Sequence, residues 1–254
     1  QIINPNTSVA MTAKLDAVAR RLAAPGTEAR VRGSASGPES IESAFDEALA
    51  LPGLLQAVVS GEREGARGHV IACFGDPGLA AARELARGPV LGIAEAAMHA
   101  ATLLAPSFSV VTTLERTVAS AQRLVAHYGF ERQCRRVRAT GIPVLALEHA
   151  ASDAALYGRI SAACERALSE DGSGAIVLGC AGMADLCQRL SDSLGVPVID
   201  GVSVALKLVE ALLGAGLATS KRGDYACPEP KTVTGAMAAF AVPPLPSHAL
   251  AALA

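Results

Sequence analysis

Residues 175–183, Ala-Ile-Val-Leu-Gly-Cys-Ala-Gly-Met, place a cysteine and two glycines directly after a run of four aliphatic residues. A second stretch of the same design, Val-Ile-Ala-Cys-Phe-Gly-Asp-Pro-Gly, occupies residues 70–78. Aliphatic runs of this length, bounded by glycine or proline, are typical of strands buried in a parallel sheet. Each stretch therefore predicts a buried strand, a turn that carries a cysteine, and then a helix.

The two stretches belong to a longer internal repeat. Residues 69–104 and 174–213 share one order of elements: strand, cysteine turn, helix, strand with a proline at its start, helix. Cys73 and Cys180 are 107 positions apart, and Pro89 and Pro197 are 108 apart, so the register holds to within one residue. A repeat of this kind predicts two structurally related lobes.

The rest of the chain extends this pattern, because short runs rich in Val, Ile and Leu alternate with amphipathic stretches. We predict an α/β fold of two pseudo-symmetric lobes, each a mainly parallel sheet flanked by helices. Residues 1–94 with 205–254 would form the lobe carrying Cys73, and residues 95–204 the lobe carrying Cys180. The first helix is expected at 8–22, and strands at 2–4, 29–32, 69–74, 90–93, 108–112, 144–147, 175–178 and 196–199.

Composition excludes several classes of partner. The chain of 254 residues is 51% hydrophobic and 18% charged, with a formal net charge of -2, so no basic excess is present to bind nucleic acid. No apolar run approaches the roughly 20 residues of a membrane-spanning helix. Residues 1–6 resemble a strand entering a loop rather than a secretory signal, so we expect a cytoplasmic protein with free thiols. Because the sequence lacks an initiating Met, we expect a few residues before Gln1.

The cysteine turns are the candidate catalytic positions. Ligands of open α/β sheets bind at the carboxyl ends of the strands, so a cleft between the lobes would bring Cys73 and Cys180 face to face. A helix N-terminus stabilises a thiolate, which favours proton transfer near neutral pH. Inverting a carbon acid requires a base on one face and an acid on the other, and two thiols can exchange those roles.

Local signals around these turns support helix starts. Asp76 and Pro77 are typical of an N-cap and a first helical position, so a helix is predicted to begin there. The small residues after Cys180 leave backbone N–H groups open to an anion. Polar segments after other strands, at 4–7, 34–37 and 112–113, are suited both to capping helices and to lining the cleft.

The other cysteines and the histidines give no clear indication of a catalytic role, and both cysteine turns have a structural alternative. A cysteine at a strand end is often only a small buried hydrophobe, which is the structural alternative for both turns. Cys187 is expected to pack in the core, and no role is assigned to Cys134, Cys164 or Cys227. No close pairs of ligands occur among the cysteines and histidines, so no metal is expected; the histidines are His69, His99, His127, His149 and His248. Nucleotide-binding and serine-hydrolase motifs are absent from the sequence.

The motifs as a set resemble those of hydantoin racemase, in the Asp/Glu/hydantoin racemase superfamily that also includes allantoin racemase. The resembling segments are residues 3–7, 72–78, 177–183, 196–202 and 219–221. The resemblance implies racemisation of 5-monosubstituted hydantoins, with no metal, pyridoxal phosphate or other cofactor, by two cysteines in a cleft between two α/β lobes. It also implies a homo-oligomer acting on a small molecule.

The resemblance further implies which residues form the site. Cys73 and Cys180 would be catalytic. Substrate would contact the polar loops and the residues that follow each cysteine: Asn6, Ser36, Phe74, Gly75, Thr112, Thr113, Ala181 and Gly182.

Three other functions remain open at this point. Allantoin racemase would use the same chemistry on a ureido-substituted ring. The second is a decarboxylase or cis–trans isomerase of the superfamily. Some of these enzymes use one cysteine, and the presence of both Cys73 and Cys180 argues against those versions. A two-lobed, non-catalytic binding protein would present a similar cleft with no reactive thiol.

Overall fold

The computed structural model of the protein describes residues 1–240. The part of the first lobe predicted from residues 241–254, and His248, lie outside the described residues. The strands are β1 (Ile2–Asn4), β2 (Val31–Gly33), β3 (His69–Ile71), β4 (Val90–Gly92), β5 (Phe108–Thr112), β6 (Cys134–Ala139), β7 (Ala175–Leu178) and β8 (Val198–Asp200). The α-helices are α1 (Val9–Leu22), α2 (Ala44–Arg63), α3 (Leu79–Leu85), α4 (Ile93–Leu104), α5 (Glu115–His127), α6 (Ala154–Asp171), α7 (Cys187–Leu194) and α8 (Gly201–Gly214).

The strands form two parallel sheets of four strands each. Their orders are β2-β1-β3-β4 and β6-β5-β7-β8, so the second sheet repeats the arrangement of the first. The pairing of β3 with β4 sets Ile71 against Gly92, and the pairing of β7 with β8 sets Leu178 against Asp200. The α/β fold with two related lobes is confirmed.

Helix α1 shows how local sequence sets an element. Ser8 is its N-cap, and its hydroxyl accepts a hydrogen bond of 3.0 Å from the backbone N–H of Met11. Met11, Leu15 and Val18 recur on one face and are buried, as the spacing predicts. The helix therefore begins and packs where its sequence indicates.

Helices α4 and α8 hold the two sheets together. α4 follows β4 in the chain and packs against β7 and β8, whereas α8 follows β8 and packs against β3 and β4. The two helices also pack against each other, and one hydrophobic core includes Val70 of the first sheet and Val177 of the second. The expected lobe boundaries, after residues 94 and 204, fall inside these helices, and the assignment of lobes stays a prediction.

One predicted strand is wrong. Residues 144–147 do not form a strand, since Leu145–His149 is a 3-10 helix. The fourth strand of the second sheet is β6, whose sequence Cys-Arg-Arg-Val-Arg-Ala has one buried residue, Val137. β6 lies at the edge of its sheet, where solvent covers the polar side chains, so it lacks the aliphatic run of a central strand.

The predicted helix start after Cys73 is also displaced. α3 begins at Leu79, and its N-cap is Gly78 in the left-handed conformation, with φ of 63°. Asp76 has a φ of 44°, and its carboxylate is bonded to the start of α4 instead. Strand β3 also ends at Ile71 rather than at residue 74, so the turn that carries Cys73 is longer than expected.

Candidate active site

A cavity of about 270 Å³ opens at the carboxyl ends of strands from both sheets. Four loops line it, and they follow β1, β3, β5 and β7. β1 and β5 hold equivalent places in the two sheets, as do β3 and β7. The cavity therefore includes two pairs of matching loops, and each pair has one loop from each repeat of the fold.

Cys73 and Cys180 both line this cavity, and each side chain is half-buried. Each cysteine comes two residues after its strand, with Ala72 or Gly179 between. The sequence repeat predicts this pairing, and the structure brings the two thiols into one site. The arrangement suits an acid and a base that act on one bound molecule.

The Cys73 thiol keeps its proton in this environment. Burial raises its pKa to about 12, and the negative charges of Cys180, Asp76 and Glu47 act in the same direction. A hydrogen bond from the backbone N–H of Gly75 lowers the pKa, but by less than burial raises it.

Cys180 differs from Cys73 in its charged neighbours. Burial raises its pKa to about 11, while the N–H of Gly182 and the ammonium group of Lys14 lower it. Lys14 Nζ is held by the carbonyl oxygens of Leu147 at 2.7 Å and Gly182 at 2.8 Å, and by Asp185 at 3.0 Å. A cation is thus fixed beneath the loop that carries one cysteine.

Helix N-termini were expected to stabilise both thiolates and so to lower their pKa values. In the structure, burial has the larger effect and raises both pKa values. Cys73 is several residues from the start of α3, and Cys180 precedes a 3-10 helix, Ala181–Leu186, rather than an α-helix. The backbone N–H groups of Gly75 and Gly182 point to the cysteines, and burial outweighs them. Both thiols are therefore stronger bases, once ionised, than an exposed cysteine.

Asn6 is buried and lines the cavity, as predicted. Its Oδ1 accepts hydrogen bonds from Asn4 Nδ2 at 2.8 Å and from the N–H of Ser8 at 3.0 Å. The N–H of Ser8 is a donor only, which fixes Oδ1 on that side and Nδ2 on the other. Among residues 1–240 the Nδ2 group has no acceptor, so it is available to a ligand carbonyl.

Thr112 and Thr113 lie at the equivalent place after β5, and both line the cavity. The hydroxyl of Thr112 is engaged with Thr117 Oγ1 at 3.0 Å and with the carbonyl oxygen of Gly179 at 3.3 Å. The backbone carbonyl of Thr113 accepts from Gly141, whereas its hydroxyl bonds no group within the described part of the chain. Thr113 is thus the better placed of the two to contact a substrate.

Ser36 is the one predicted contact residue that does not line the cavity. Its side chain is exposed, and its backbone oxygen accepts a hydrogen bond of 2.6 Å from Ser34 Oγ. β2 is an edge strand, and the chain that follows it reaches the cavity only at residues 41–44 and at Glu47. The other predicted residues, Phe74, Gly75, Ala181 and Gly182, line the cavity.

A group of charged and hydroxyl side chains on one side of the cavity, here called the polar wall, was not predicted from the sequence. Its members are Glu42, Glu47, Arg116, Thr117, Ser120 and Arg123. Glu42 precedes α2, Glu47 lies in its first turn, and the other four are on α5. All six are partly or fully exposed polar side chains, a pattern that gave no signal of a shared site. Met11, Ile41 and Val144 also line the cavity and were not predicted.

Glu47 lies next to the Cys73 loop. A Cβ atom placed on Gly75 would be 3.6 Å from Glu47 Oε2 and 3.9 Å from Cys73 Sγ, so Gly75 lies between the two side chains. Burial raises the pKa of Glu47, and Arg123 lowers it by less. The carboxylate hydrogen-bonds no side chain in residues 1–240 and is free to accept an N–H group.

The other cysteines lie away from the cavity. Cys164 is buried in the core, and the thiol of Cys187 donates to the carbonyl oxygen of Val198 at 2.8 Å. Residues 1–240 hold no group of three or more His, Cys, Asp or Glu side chains placed to bind a metal ion. Within the same residues, no helix combines the length and apolarity needed to span a bilayer.

Comparison with known proteins identifies the family. Residues 1–209 match the family model described as Asp/Glu/Hydantoin racemase. The chain belongs to this family. It is 49% identical to a hydantoin racemase of Rhizobium meliloti over 92% of this chain and 96% of that one. It is 42% identical to a hydantoin racemase of Pseudomonas sp. (strain NS671), over 94% of this chain and 96% of that one.

A solved structure extends the comparison. The allantoin racemase from Klebsiella pneumoniae is 55% identical, with a TM-score of 0.92 over 94% of this chain and 97% of that one. Membership of the Asp/Glu/hydantoin racemase family and these relatives establish the protein as a racemase, an isomerase. The non-catalytic binding protein therefore receives no support. The racemase relatives carry two different substrate names, so the substrate is a separate question.

Proposed function

We propose that this racemase inverts C5 of 5-monosubstituted hydantoins by proton transfer to and from Cys73 and Cys180, with no cofactor. The observation that carries the proposal is the symmetry of the site. The two cysteines follow equivalent strands of two equivalent sheets, and both line one cavity. A substrate ring held between them would present opposite faces to the two thiols.

The proton balance of this scheme is simple. One cysteine, as thiolate, removes the C5 proton and becomes a thiol, while the electron pair moves onto the neighbouring carbonyl oxygen. The opposite cysteine, as thiol, gives its proton to the other face of C5 and becomes the thiolate. The reverse reaction exchanges the two roles, and proton exchange with water restores the starting state.

The environment of the two thiols supports their roles as base and acid. Burial makes each thiolate a stronger base, which helps to remove a weakly acidic carbon-bound proton, and it reduces the thiolate fraction at neutral pH. The N–H groups of Gly75 and Gly182 stabilise whichever sulfur is charged. The mutual repulsion of Cys73 and Cys180 disfavours ionisation of both together, which leaves one acid and one base.

The oxygen that gains charge requires hydrogen-bond donors. We assign this role to Asn6 Nδ2 and the Thr113 hydroxyl, since both residues line the cavity and both groups are free of protein partners in residues 1–240. Asn6 is held in place by Asn4 and Ser8. A donor fixed in advance of the reaction stabilises the developing charge without reorganisation.

The polar wall favours allantoin as the specific substrate within this class. Allantoin is a hydantoin whose C5 substituent is a ureido group, with several N–H donors and a carbonyl. Glu47 would accept from the N–H groups, and Arg116 or Arg123 would donate to the carbonyl oxygen. A benzyl or alkyl substituent would leave the partly buried Glu47 carboxylate without a partner, which is unfavourable.

Two further assignments accompany the proposal. We retain the division into a lobe carrying Cys73 and a lobe carrying Cys180, with α4 and α8 crossing between them. A homo-oligomer and a cytoplasmic location stay predictions, and light scattering on the purified protein would measure the first of these.

The activity is tested with single enantiomers of allantoin and of 5-benzylhydantoin in D2O, with EDTA present. Optical rotation and deuterium incorporation at C5 are followed together. Decay of rotation to zero with incorporation of deuterium supports a hydantoin racemase, and faster decay for allantoin supports the ureido substrate. Absence of both decay and exchange for the two compounds would overturn the proposal.

A further inference from the structure

Asp76 forms a buried contact between the Cys73 loop and the helix that packs on the second sheet. Its Oδ1 accepts a hydrogen bond from the backbone N–H of Ala94 at 3.0 Å, and its Oδ2 accepts from the N–H of Glu95 at 2.9 Å. Oδ2 also accepts from the hydroxyl of Tyr128, at 2.7 Å. Asp76 thereby caps α4 from a position 18 residues away in the chain, although it lies three residues after Cys73.

The two halves of the fold differ at this point. Asp200 ends β8 and caps α8 directly, through the N–H of Ser203 at 2.8 Å. The equivalent position at the end of β4 is Gly92, which has no side chain to cap α4. A Cβ on Gly92 would lie 2.2 Å from the carboxyl carbon of Asp76, so the carboxylate occupies the space that a capping side chain would need.

The backbone at Asp76 indicates that the contact is maintained against strain. Asp76 is the only non-glycine residue in residues 1–240 with a positive φ, at 44°. Such a conformation costs about 1–2 kcal/mol for a residue with a Cβ. The N–H of Asp76 also donates to the carbonyl oxygen of Cys73 at 3.0 Å, which ties the strained turn to the cysteine itself.

We propose that Asp76 is a positioning residue for Cys73, which locks the Cys73 loop to the start of α4 and so fixes that thiol relative to the sheet that carries Cys180. α4 packs against β7 and β8, so the lock spans the two sheets. Cys180 has no counterpart of this lock in the described structure, because Asp200 caps its own helix. This proposal rests on the proposed role of Cys73.

The test compares Asp76→Asn and Asp76→Ala with Asp200→Asn, the matched control that weakens the other helix cap. Iodoacetamide alkylation of Cys73 and Cys180 is followed separately by peptide mass spectrometry, beside kcat and KM for racemisation. With the lock broken, water reaches the Cys73 loop, so alkylation of Cys73 accelerates at least about fivefold while that of Cys180 changes less. kcat falls by about 10²-fold in Asp76→Ala, with a smaller change in KM, since misplacement of a reacting group by about 1 Å has this effect.

Asp76→Asn retains one acceptor oxygen and should give an intermediate result. Asp200→Asn should lower the unfolding temperature yet leave Cys73 alkylation within about twofold of the wild type. Should both Asp76 variants fail to fold, Tyr128→Phe removes one hydrogen bond to the same carboxylate and shifts Cys73 alkylation in the same direction. Unchanged alkylation of Cys73 in every folded variant would overturn the proposal. The alkylation rates need no turnover, so a failed racemase assignment is recognised separately.

Discussion

Lys14 Nζ donates a hydrogen bond of 2.8 Å to the carbonyl oxygen of Gly182, two residues after Cys180. The ammonium group lowers the pKa of the Cys180 thiol, and no cation acts in this way on Cys73. The carboxylates of Asp76 and Glu47 raise the pKa of Cys73, whereas that of Glu42 raises the pKa of Cys180 by less than Lys14 lowers it. The two thiols are equivalent in the fold but not in their electrostatics.

Removing this cation should change the pH dependence of one half-reaction. In Lys14→Met the pKa of Cys180 rises, so the pH profile of proton abstraction by Cys180 shifts upward by roughly one unit. The profile for the enantiomer served by Cys73 moves less. Deuterium exchange from each pure enantiomer across pH measures both profiles. Lys207→Met, which removes an exposed lysine on α8, is the control, and identical profiles for wild type and Lys14→Met would refute the assignment.

The raised thiol pKa values predict an alkaline activity profile. The pKa values of Cys73 and Cys180 are raised to about 12 and about 11, so the thiolate form is scarce at neutral pH and is lost further as pH falls. Below these values the thiolate fraction grows about tenfold per pH unit. We expect kcat/KM to rise steadily from pH 7 to pH 10, as read from optical rotation on enzyme shown to be folded by circular dichroism. A plateau reached below pH 8 would contradict the effect of burial.

Glu47 should control the choice of substituent. Glu47→Gln keeps the shape of the side chain and removes its charge, so kcat/KM for allantoin should fall roughly tenfold through loss of a charged hydrogen bond. The value for 5-benzylhydantoin should fall by less, and the ratio of the two isolates the contact from any general effect on Cys73. Glu39→Gln, at an exposed position in the loop before α2, is the control. An unchanged ratio would remove Glu47 from substituent recognition.

Asp76 should make stability depend on pH in a recognisable range. Burial raises its pKa from 3.8 to about 7, so the folded state favours the protonated carboxyl group. Its contribution to stability is complete below about pH 4 and is lost as pH rises through about 7. The difference in unfolding free energy between wild type and Asp76→Asn should therefore fall by up to about 1.4 kcal/mol per pH unit in this range. Urea unfolding at several pH values measures it.

The neighbours of Asp76 are common to both proteins in that comparison. They are Tyr128, Glu95 and Arg83, which pairs with Glu95, so their own titrations largely cancel in the difference. A difference that stays constant from pH 4 to pH 7 would show that Asp76 keeps one protonation state throughout.

Strands with strong local signals were predictable from the sequence. β5 and β7 are completely buried, with two and four aliphatic residues respectively, and their predicted bounds are confirmed residue by residue. β6 could not be found in this way, because an edge strand exposes its arginines to solvent and carries no aliphatic run. Residues 144–147 are apolar because they pack beside the cavity and the core, not because they pair with a strand.

The site was predictable where the repeat marks it and not where it depends on distant contacts. The pairing of Cys73 with Cys180 follows from matched strand ends, and Asn6 and Thr113 follow strands of the same sheets. Glu47 and the rest of the polar wall come from helix surfaces, where charged residues ordinarily face solvent. The pattern at Asp76 correctly indicates a helix cap, but the helix that it caps lies 18 residues away.

The pKa values of the two thiols also could not be predicted from the local sequence. A cysteine near a helix start predicts a lowered pKa from local geometry alone. Burial, which acts in the opposite direction and dominates here, depends on how the two sheets close around the cavity.

The central claim is that two cysteines act on opposite faces of one carbon, and single-cysteine variants test it most directly. Cys73→Ser and Cys180→Ser are each incubated in D2O with one pure enantiomer at a time, and C5 deuterium and optical rotation are followed together. Each variant should lose racemisation by about 10²- to 10⁴-fold yet retain exchange of one enantiomer, with the two variants retaining opposite enantiomers. Near-full racemisation by both variants, or retention of the same enantiomer by both, would contradict the two-cysteine mechanism.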